Sequence, residues 1–183
     1  MSINLIIIIA ILLISNKGFK DKKWMYQLAL YPKLMRENSN QWYRIITSGF
    51  VHGSWNHLIF NLITLYFFGR FIEEYLGVIH YLTLFAGGVV FGNLPSIIKE
   101  SNRINYYSLG ASGGISSLLF AFIYLFPTQN IYIFFLLPLP AYLFGLIFLI
   151  YSIYAHFKLK DGVNHLAHLS GAIFGLLWIL LLF

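Results

Sequence analysis

Six apolar segments separated by polar ones make up most of the chain. A transmembrane helix needs roughly 20 predominantly apolar residues, and the segments approach that length with their flanks. The pattern predicts an all-α, polytopic membrane protein. We expect one compact bundle of six transmembrane helices over residues 1–183, with a membrane-embedded first loop. The predicted spans are residues 3–15, 55–71, 78–98, 112–126, 141–155 and 164–183.

Two interruptions differ from simple loops. Residues 17–47 mix charged and aromatic side chains, a combination typical of an element that lies in the membrane interface. Residues 131–137 are apolar but run into Pro138 and Pro140, which disfavour a continuous helix. We therefore expect a short extended or membrane-surface segment there. Its aromatic pair at 134–135 is expected to contact lipid or pack against other side chains.

Composition agrees with this pattern. Hydrophobic residues form 59% of the chain and charged residues 10%, against about 25% charged residues in a soluble domain. An ordinary soluble globular protein is therefore excluded. The net charge is +6, and most basic residues lie within 17–47, beside a hydrophobic segment. Attraction to anionic lipid headgroups explains them better than nucleic-acid binding. The chain has no cysteine, so disulfides and thiolate metal sites are excluded.

A serine and a histidine each open an apolar segment, where polar side chains are costly and often functional. Ser112 lies in a Gly-Ala-Ser-Gly-Gly run at 110–114, and His168 lies in the segment 164–171. A hydroxyl and an imidazole suffice for nucleophilic catalysis, and flanking glycines allow close approach of a substrate. The alternative is structural: small residues also serve helix packing, and a histidine can form an interhelical hydrogen bond.

A second polar pattern precedes the second span. His57 and Asn61 are four residues apart, so on a helix they project from one face. Two N–H donors aimed at one point can stabilise an oxyanion, although a purely structural role for this pair is the alternative. His52 lies five residues before His57. The remaining histidines, His80, His156 and His165, are expected at the membrane interface.

The six acidic residues lie in predicted loops or at helix ends, so none is placed to complete a catalytic triad. A Ser–His dyad is the economical interpretation, with helix packing orienting the imidazole. The chain has no H-E-x-x-H motif and no carboxylate beside its candidate histidines. We therefore expect neither a metal nor another cofactor.

These blocks resemble the signatures of the rhomboid intramembrane serine proteases, in the same order and over all six spans. The resemblance implies that Ser112 is the nucleophile and His168 the base. It implies that His57, Asn61 and the backbone N–H of Ser112 bind the oxyanion. Gly110 belongs to the same substrate-binding region, and His52 would line a water-accessible cavity above it. The matching segments are 42–44, 52–61, 69–73, 110–113 and 164–171.

The resemblance also assigns structural roles and shows departures. Arg44 would hold the first loop, Glu73 would hold the end of the second helix, and the fifth span would gate lateral substrate entry. Asn164 replaces a common Asp and Ser170 replaces a common Gly. We expect the Ser170 change to matter more, because close contact between the fourth and sixth helices would position the dyad.

Three functions remain open at this point. The first is an active serine endopeptidase that cuts peptide bonds in or near transmembrane segments. The second is a pseudoprotease of the same fold, which binds transmembrane segments without cutting them; the intact Ser112 and His168 argue against it. The third is a small transporter, which the absence of acidic residues within the spans disfavours.

Expected partners are transmembrane protein substrates and membrane lipids, with no nucleic acid, and a monomer suffices for the site. We expect a multi-pass protein of the bacterial inner membrane. Its orientation is contested: a cytoplasmic amino terminus puts 11 basic residues in exterior loops and only Arg70 in cytoplasmic ones. The positive-inside rule favours the opposite orientation. We follow the family topology, which implies a cytoplasmic amino terminus.

Overall fold

Helices dominate the computed structural model, which describes residues 2–133, 136–159 and 161–183. Within those residues the chain forms ten α-helices, two 3₁₀ turns, one π turn and one β-hairpin. The helices are α1 Ile3–Lys20, α2 Lys22–Leu28, α3 Pro32–Glu37, α4 Arg44–Thr47, α5 Trp55–Thr64, α6 Arg70–Leu76, α7 Val78–Glu100, α8 Ser112–Leu125, α9 Ala141–Lys158 and α10 His165–Leu182.

By length and composition, four helices could cross a membrane: α1, α7, α9 and α10. Helix α8 is apolar but shorter, with 14 residues. The α5 and α6 helices follow one another through a π turn at Leu65–Gly69. This continuous helical stretch begins at the N-cap Ser54 and ends at Gly77, whose φ of 83° suits a glycine C-cap. The mostly helical fold class is confirmed, whereas the count of six transmembrane helices stays a prediction.

The centre of the bundle is α8, which packs against α7 and α10. Eleven of its 14 residues are buried. Glycines permit this closeness: a Cβ at Gly88 would lie 2.8 Å from the Gly113 carbonyl oxygen, and one at Gly92 would lie 3.1 Å from the Gly113 Cα. Backbones that approach this closely leave α8 little freedom to shift.

Helix α1 lies against the rest of the bundle through one narrow stripe. Its buried residues recur at helical spacing and are Asn4, Ile11, Ser15 and Gly18. The Glu73 carboxylate of α6 accepts hydrogen bonds from the backbone N–H groups of Ile3 and Asn4, both at 2.8 Å. Glu73 therefore caps the amino terminus of α1, where an anion is favourable. The resemblance had implied that it holds the end of the second helix.

The first loop is folded and tied down from within. Arg44 is 6% exposed, and its guanidinium donates to the carbonyl oxygens of Tyr26 and Ala29 at 2.7 and 2.8 Å. It also donates to Gln41 Oε1 at 2.7 Å. These bonds join α4 to the end of α2 and to the residue after it, consistent with the loop-holding role that the resemblance implies for Arg44.

A β-hairpin precedes α9. Strands β1 Asn130–Ile133 and β2 Leu137–Pro140 are antiparallel, with Ile131 opposite Leu139. The extended conformation was expected, but the pairing was not, and an all-α description is wrong for this segment. The expectation for Phe134 and Phe135 lies outside the described residues.

Candidate active site

The loop before α8 has a backbone that requires glycine. Gly110 adopts a φ of 118°, and a Cβ there would lie 2.6 Å from Cε1 of His57. Its backbone N–H donates to the Ser48 carbonyl oxygen at 2.9 Å. The conformation and the neighbouring imidazole thus both exclude a side chain, and Gly110 brings His57 of α5 against the chain that leads to Ser112.

Ser112 is the first residue of α8. The backbone N–H groups in the first turn of a helix have no intrahelical acceptor, and the helix dipole favours negative charge there. A developing oxyanion beside Ser112 would therefore meet free N–H donors.

His168 reaches the same region because α8 and α10 touch backbone to backbone. Gly171 lies one turn after His168, and a Cβ there would overlap the carbonyl oxygen of Gly113. The neighbouring Ser170 lines a different groove, between α7 and α10, with Phe91 and Ile173. Gly171 thus makes the backbone contact with α8, and the expectation attached to Ser170 stays a prediction.

One cavity of about 680 Å³ collects the candidate residues. Gly110, Ser112, His57 and His168 all line it. In the part of the chain that the structure describes, no hydrogen bond joins Ser112 to His168. Catalytic hydrogen bonds are often long in ligand-free enzymes and tighten when substrate binds. The four residues therefore line the same cavity, and we expect the hydrogen bond between the Ser112 hydroxyl and the His168 imidazole to form when substrate binds.

His52 and Asn61 lie behind the wall of this cavity. The His52 side chain is 0% exposed and Asn61 is 8% exposed, and neither lines the cavity. His52 Nε2 and Asn61 Nδ2 are 2.8 Å apart, and the rings of His52 and His57 meet edge to face with centroids 4.9 Å apart. His52 thus contacts both predicted oxyanion residues from behind, whereas the resemblance had implied a place at the cavity surface.

The amino terminus of α10 is fixed by an amide. Asn164 Oδ1 accepts from the Ala167 N–H at 3.1 Å as an N-cap. Its Nδ2 donates to Ser96 Oγ of α7 at 2.9 Å and to Ser108 Oγ at 3.2 Å. Since a carboxylate cannot donate, asparagine is the residue that suits these two acceptors. Asn164 thereby joins the helix of His168 to the loop that precedes Ser112.

His165 also lines the cavity, a position that the expectation of an interfacial place did not indicate. It is 4% exposed, and its ring lies edge to face with His168 at 5.6 Å. Its Nε2 is 3.1 Å from Oδ2 of Asp161. The spacing of three residues from His168 was the sequence signal, since such residues neighbour each other on a helix.

Asp161 lies in the loop before α10, outside the helices. The backbone N–H of Val163 and then the imidazole of His165 lower the pKa of the Asp161 carboxyl, so it stays ionised at neutral pH. No group of three His, Cys, Asp or Glu side chains among the described residues is arranged to hold a metal ion.

Comparisons with known proteins identify the family of this chain. The Rhomboid domain family matches residues 39–183. The chain is 34% identical over 156 residues to the chloroplastic rhomboid-like protein 11 of Arabidopsis thaliana, a match covering 78% of this chain and 54% of that protein. It is 28% identical over 151 residues to the mitochondrial rhomboid-like protein 12 of the same plant, covering 73% and 44%.

A bacterial relative matches over more of its length. The chain is 29% identical over 176 residues to the rhomboid protease GlpG of Haemophilus influenzae, covering 93% of this chain and 83% of that protein. By contrast, the chain spans about half the length of the two plant relatives. Four helices long and apolar enough to span a bilayer, together with a family match over most of the chain, make this a multi-pass integral membrane protein of the rhomboid family.

Proposed function

We propose that the chain is an intramembrane serine endopeptidase with a Ser112–His168 dyad. The observation that carries this proposal is that Ser112, His57 and His168, from three different helices, line one cavity. The family match and the protease name of the bacterial relative support the reaction class. These three polar side chains and a helix amino terminus meet within a membrane protein, where polar groups are costly unless they are used.

The chemistry follows from the groups present. His168 removes the proton of Ser112 as its Oγ attacks the scissile carbonyl carbon, and the carbonyl oxygen becomes an oxyanion. The Ser112 N–H and the His57 imidazole, from residues that line the cavity, donate hydrogen bonds to that oxyanion. The Asn61 amide, which lies outside the cavity lining, donates a third when the substrate brings the oxyanion within its reach. The intermediate then collapses: the C–N bond breaks, His168 passes its proton to the leaving amine, and Ser112 is left acylated. Water, deprotonated by His168, hydrolyses the ester and releases the second product.

The substrate class follows from the position of the cavity within the bundle. A transmembrane helix has its carbonyl groups hydrogen-bonded, so it must unwind locally before it can be cut. We expect substrates with Gly or Pro in or near the transmembrane segment and a small residue before the scissile bond. Cleavage of a poly-Leu segment as fast as a Gly-containing one would contradict this expectation.

We further infer six spanning helices: α1, the α5–α6 stretch, α7, α8, α9 and α10. Relatives occur in a bacterium and, by name, in mitochondria and chloroplasts. We propose that the protein lies in the bacterial inner membrane and that it is a monomeric enzyme acting on transmembrane proteins. A reporter fused after Phe183 tests the orientation: an amino terminus in the cytoplasm and six spans require a cytoplasmic carboxyl terminus.

The second candidate function is that of a pseudoprotease. It accounts for the same cavity, in which no hydrogen bond joins Ser112 to His168 among the described residues, without requiring that bond to form when substrate binds. In that case the cavity would bind transmembrane segments without cutting them.

Labelling with a fluorophosphonate probe distinguishes the two. The detergent-purified wild type should label, and Ser112→Ala and His168→Ala should each lose labelling, because the probe reacts only with a base-activated serine. An active membrane serine protease serves as the positive control. If the wild type stays unlabelled while that control reacts, the pseudoprotease hypothesis replaces the protease hypothesis.

A further inference from the structure

A chain of buried hydrogen bonds runs from the first helix to the candidate oxyanion site. Ser15 of α1 is 0% exposed, and its hydroxyl lies 3.0 Å from the Phe50 carbonyl oxygen and 2.9 Å from Nδ1 of His52. His52 Nε2 in turn lies 2.8 Å from Nδ2 of Asn61. Four groups from three parts of the chain are thus connected in one line.

The donors and acceptors in this line have one consistent arrangement. Asn61 Nδ2 carries only hydrogens, so it donates and His52 Nε2 accepts. A neutral imidazole that accepts at Nε2 carries its proton on Nδ1, which must then donate to Ser15 Oγ. The single hydroxyl hydrogen of Ser15 is left to donate to the Phe50 carbonyl, as its geometry requires. Ser15 therefore determines the tautomer of His52.

The tautomer matters because His52 contacts both predicted donors. With Nε2 as an acceptor, His52 holds one N–H of the Asn61 amide and leaves the other free. The edge-to-face contact of its ring with His57, at 4.9 Å, fixes the second donor. With the opposite tautomer, an N–H would face the Asn61 amide N–H₂, and the amide would have to turn.

We propose that Ser15 and His52 are positioning residues that aim the Asn61 amide and the His57 ring at the oxyanion. This inference rests on the proposed protease function and extends its site to the first helix. Ser15 lies outside the matched family segment at 39–183. Helix α1 is held at its other end by Glu73, so the Ser15 hydroxyl is carried on an element anchored at both ends.

A double-mutant cycle tests whether Ser15 acts through Asn61. Ser15→Ala should lower kcat about tenfold with KM unchanged. Asn61→Ala, which removes a donor itself, should lower kcat by roughly 10²–10³. In the Asn61→Ala background, Ser15→Ala should lower kcat by clearly less than tenfold, because one of the two groups that it positions is gone. A loss of the same size in both backgrounds would overturn the proposal.

Ser117→Ala is the matched control. Ser117 is also 0% exposed, and its hydroxyl has no hydrogen-bond partner among the residues that the structure describes, so its removal should leave kcat near that of the wild type. Ser112→Ala in the same assay reports on the proposed function: residual cleavage by Ser112→Ala would contradict the protease mechanism without bearing on the cycle.

A second measurement needs no activity and no Ser15 variant. Ring ¹⁵N shifts of histidine-labelled wild type distinguish the two neutral tautomers, and the signal missing in His52→Ala identifies His52. We expect the Nδ1–H tautomer. The Nε2–H tautomer, or a charged ring at neutral pH, would overturn the proposed chain of hydrogen bonds even if Ser15→Ala failed to fold.

Discussion

Helices α8 and α9 follow one another in the chain but are packed in opposite ways. Eleven of the 14 residues of α8 are buried, whereas α9 buries four of its 18 residues. Helix α8 meets its neighbours through glycines, with backbone against backbone. The four buried residues of α9 are Ala141, Gly145, Ser152 and Ala155, a narrow stripe on one face.

The contacts of α8 and α9 also differ in the kind of atoms that they bring together. A Cβ at Gly171, where α10 meets α8, would meet backbone atoms, which cannot move aside. A Cβ at Gly145 of α9 would first meet the Cδ1 of Ile123 at 3.0 Å, the far end of a flexible side chain. We infer that α8 is a fixed support for the proposed nucleophile and that α9 is free to yield to an entering substrate.

The largest effect is expected for Gly171→Ala. The added methyl overlaps the Gly113 carbonyl and forces α10 away from α8, with an overpacking cost of about 1–3 kcal/mol. Because His168 moves with α10, cleavage should fall by roughly 100-fold. Thermal unfolding in detergent and single-turnover cleavage measure the two effects. Ser170→Ala, on the adjacent groove-lining residue, is the control and should behave like the wild type; equal damage by both variants would contradict the packing argument.

An intermediate effect is expected for Asn164→Ala. The variant loses an N-cap, which costs about 0.5–2 kcal/mol, and two donors that join α10 to α7 and to the Ser112 loop. We expect a lower Tm and about tenfold slower cleavage. The control is Asn102→Ala, which removes an exposed partner of Arg36. An unchanged Asn164→Ala enzyme would show that α10 is held by glycine packing alone.

The smallest effect is expected for Gly145→Ala. The clash with Ile123 is relieved by a rotamer change, and alanine gains about 0.5–1 kcal/mol of helix propensity over glycine. Stability should therefore stay within about 1 kcal/mol of the wild type, measured by the same thermal unfolding. A loss as large as that of Gly171→Ala would remove the distinction between the two helices.

The apolar pattern was sufficient to predict a helical membrane protein, because burial in lipid leaves long apolar segments few other choices. Helical spacing also indicated which residues share a face, as for His57 and Asn61. The candidate catalytic residues remain predictions, although the structure brings Ser112, His57 and His168 to one cavity.

Contacts between residues far apart in the chain could not be predicted from the sequence. Ser15 looked like the polar end of an apolar segment, because nothing near it in the chain reveals His52 as its partner. The Glu73 carboxylate likewise caps a helix some 70 residues away. The hairpin was obscured by its prolines, which rule out a helix without specifying a paired strand. Local periodicity contains no information about these partners.

The π turn at Leu65–Gly69 changes the direction in which side chains after it point, relative to those before it. Asn61 and Glu73 are twelve residues apart, and at about 100° per residue a regular α-helix would separate their directions by about 120°. A π turn absorbs one extra residue, which reduces the difference to about 20°. Both side chains then point towards α1. Asn61 contacts it through His52 and Ser15, and Glu73 contacts it directly. Deletion of a single residue within 65–69 would remove the π turn and leave Glu73 directed towards α1, since eleven regular helical residues give the same difference of about 20°. A relative that lacks the π turn should therefore show a one-residue gap there.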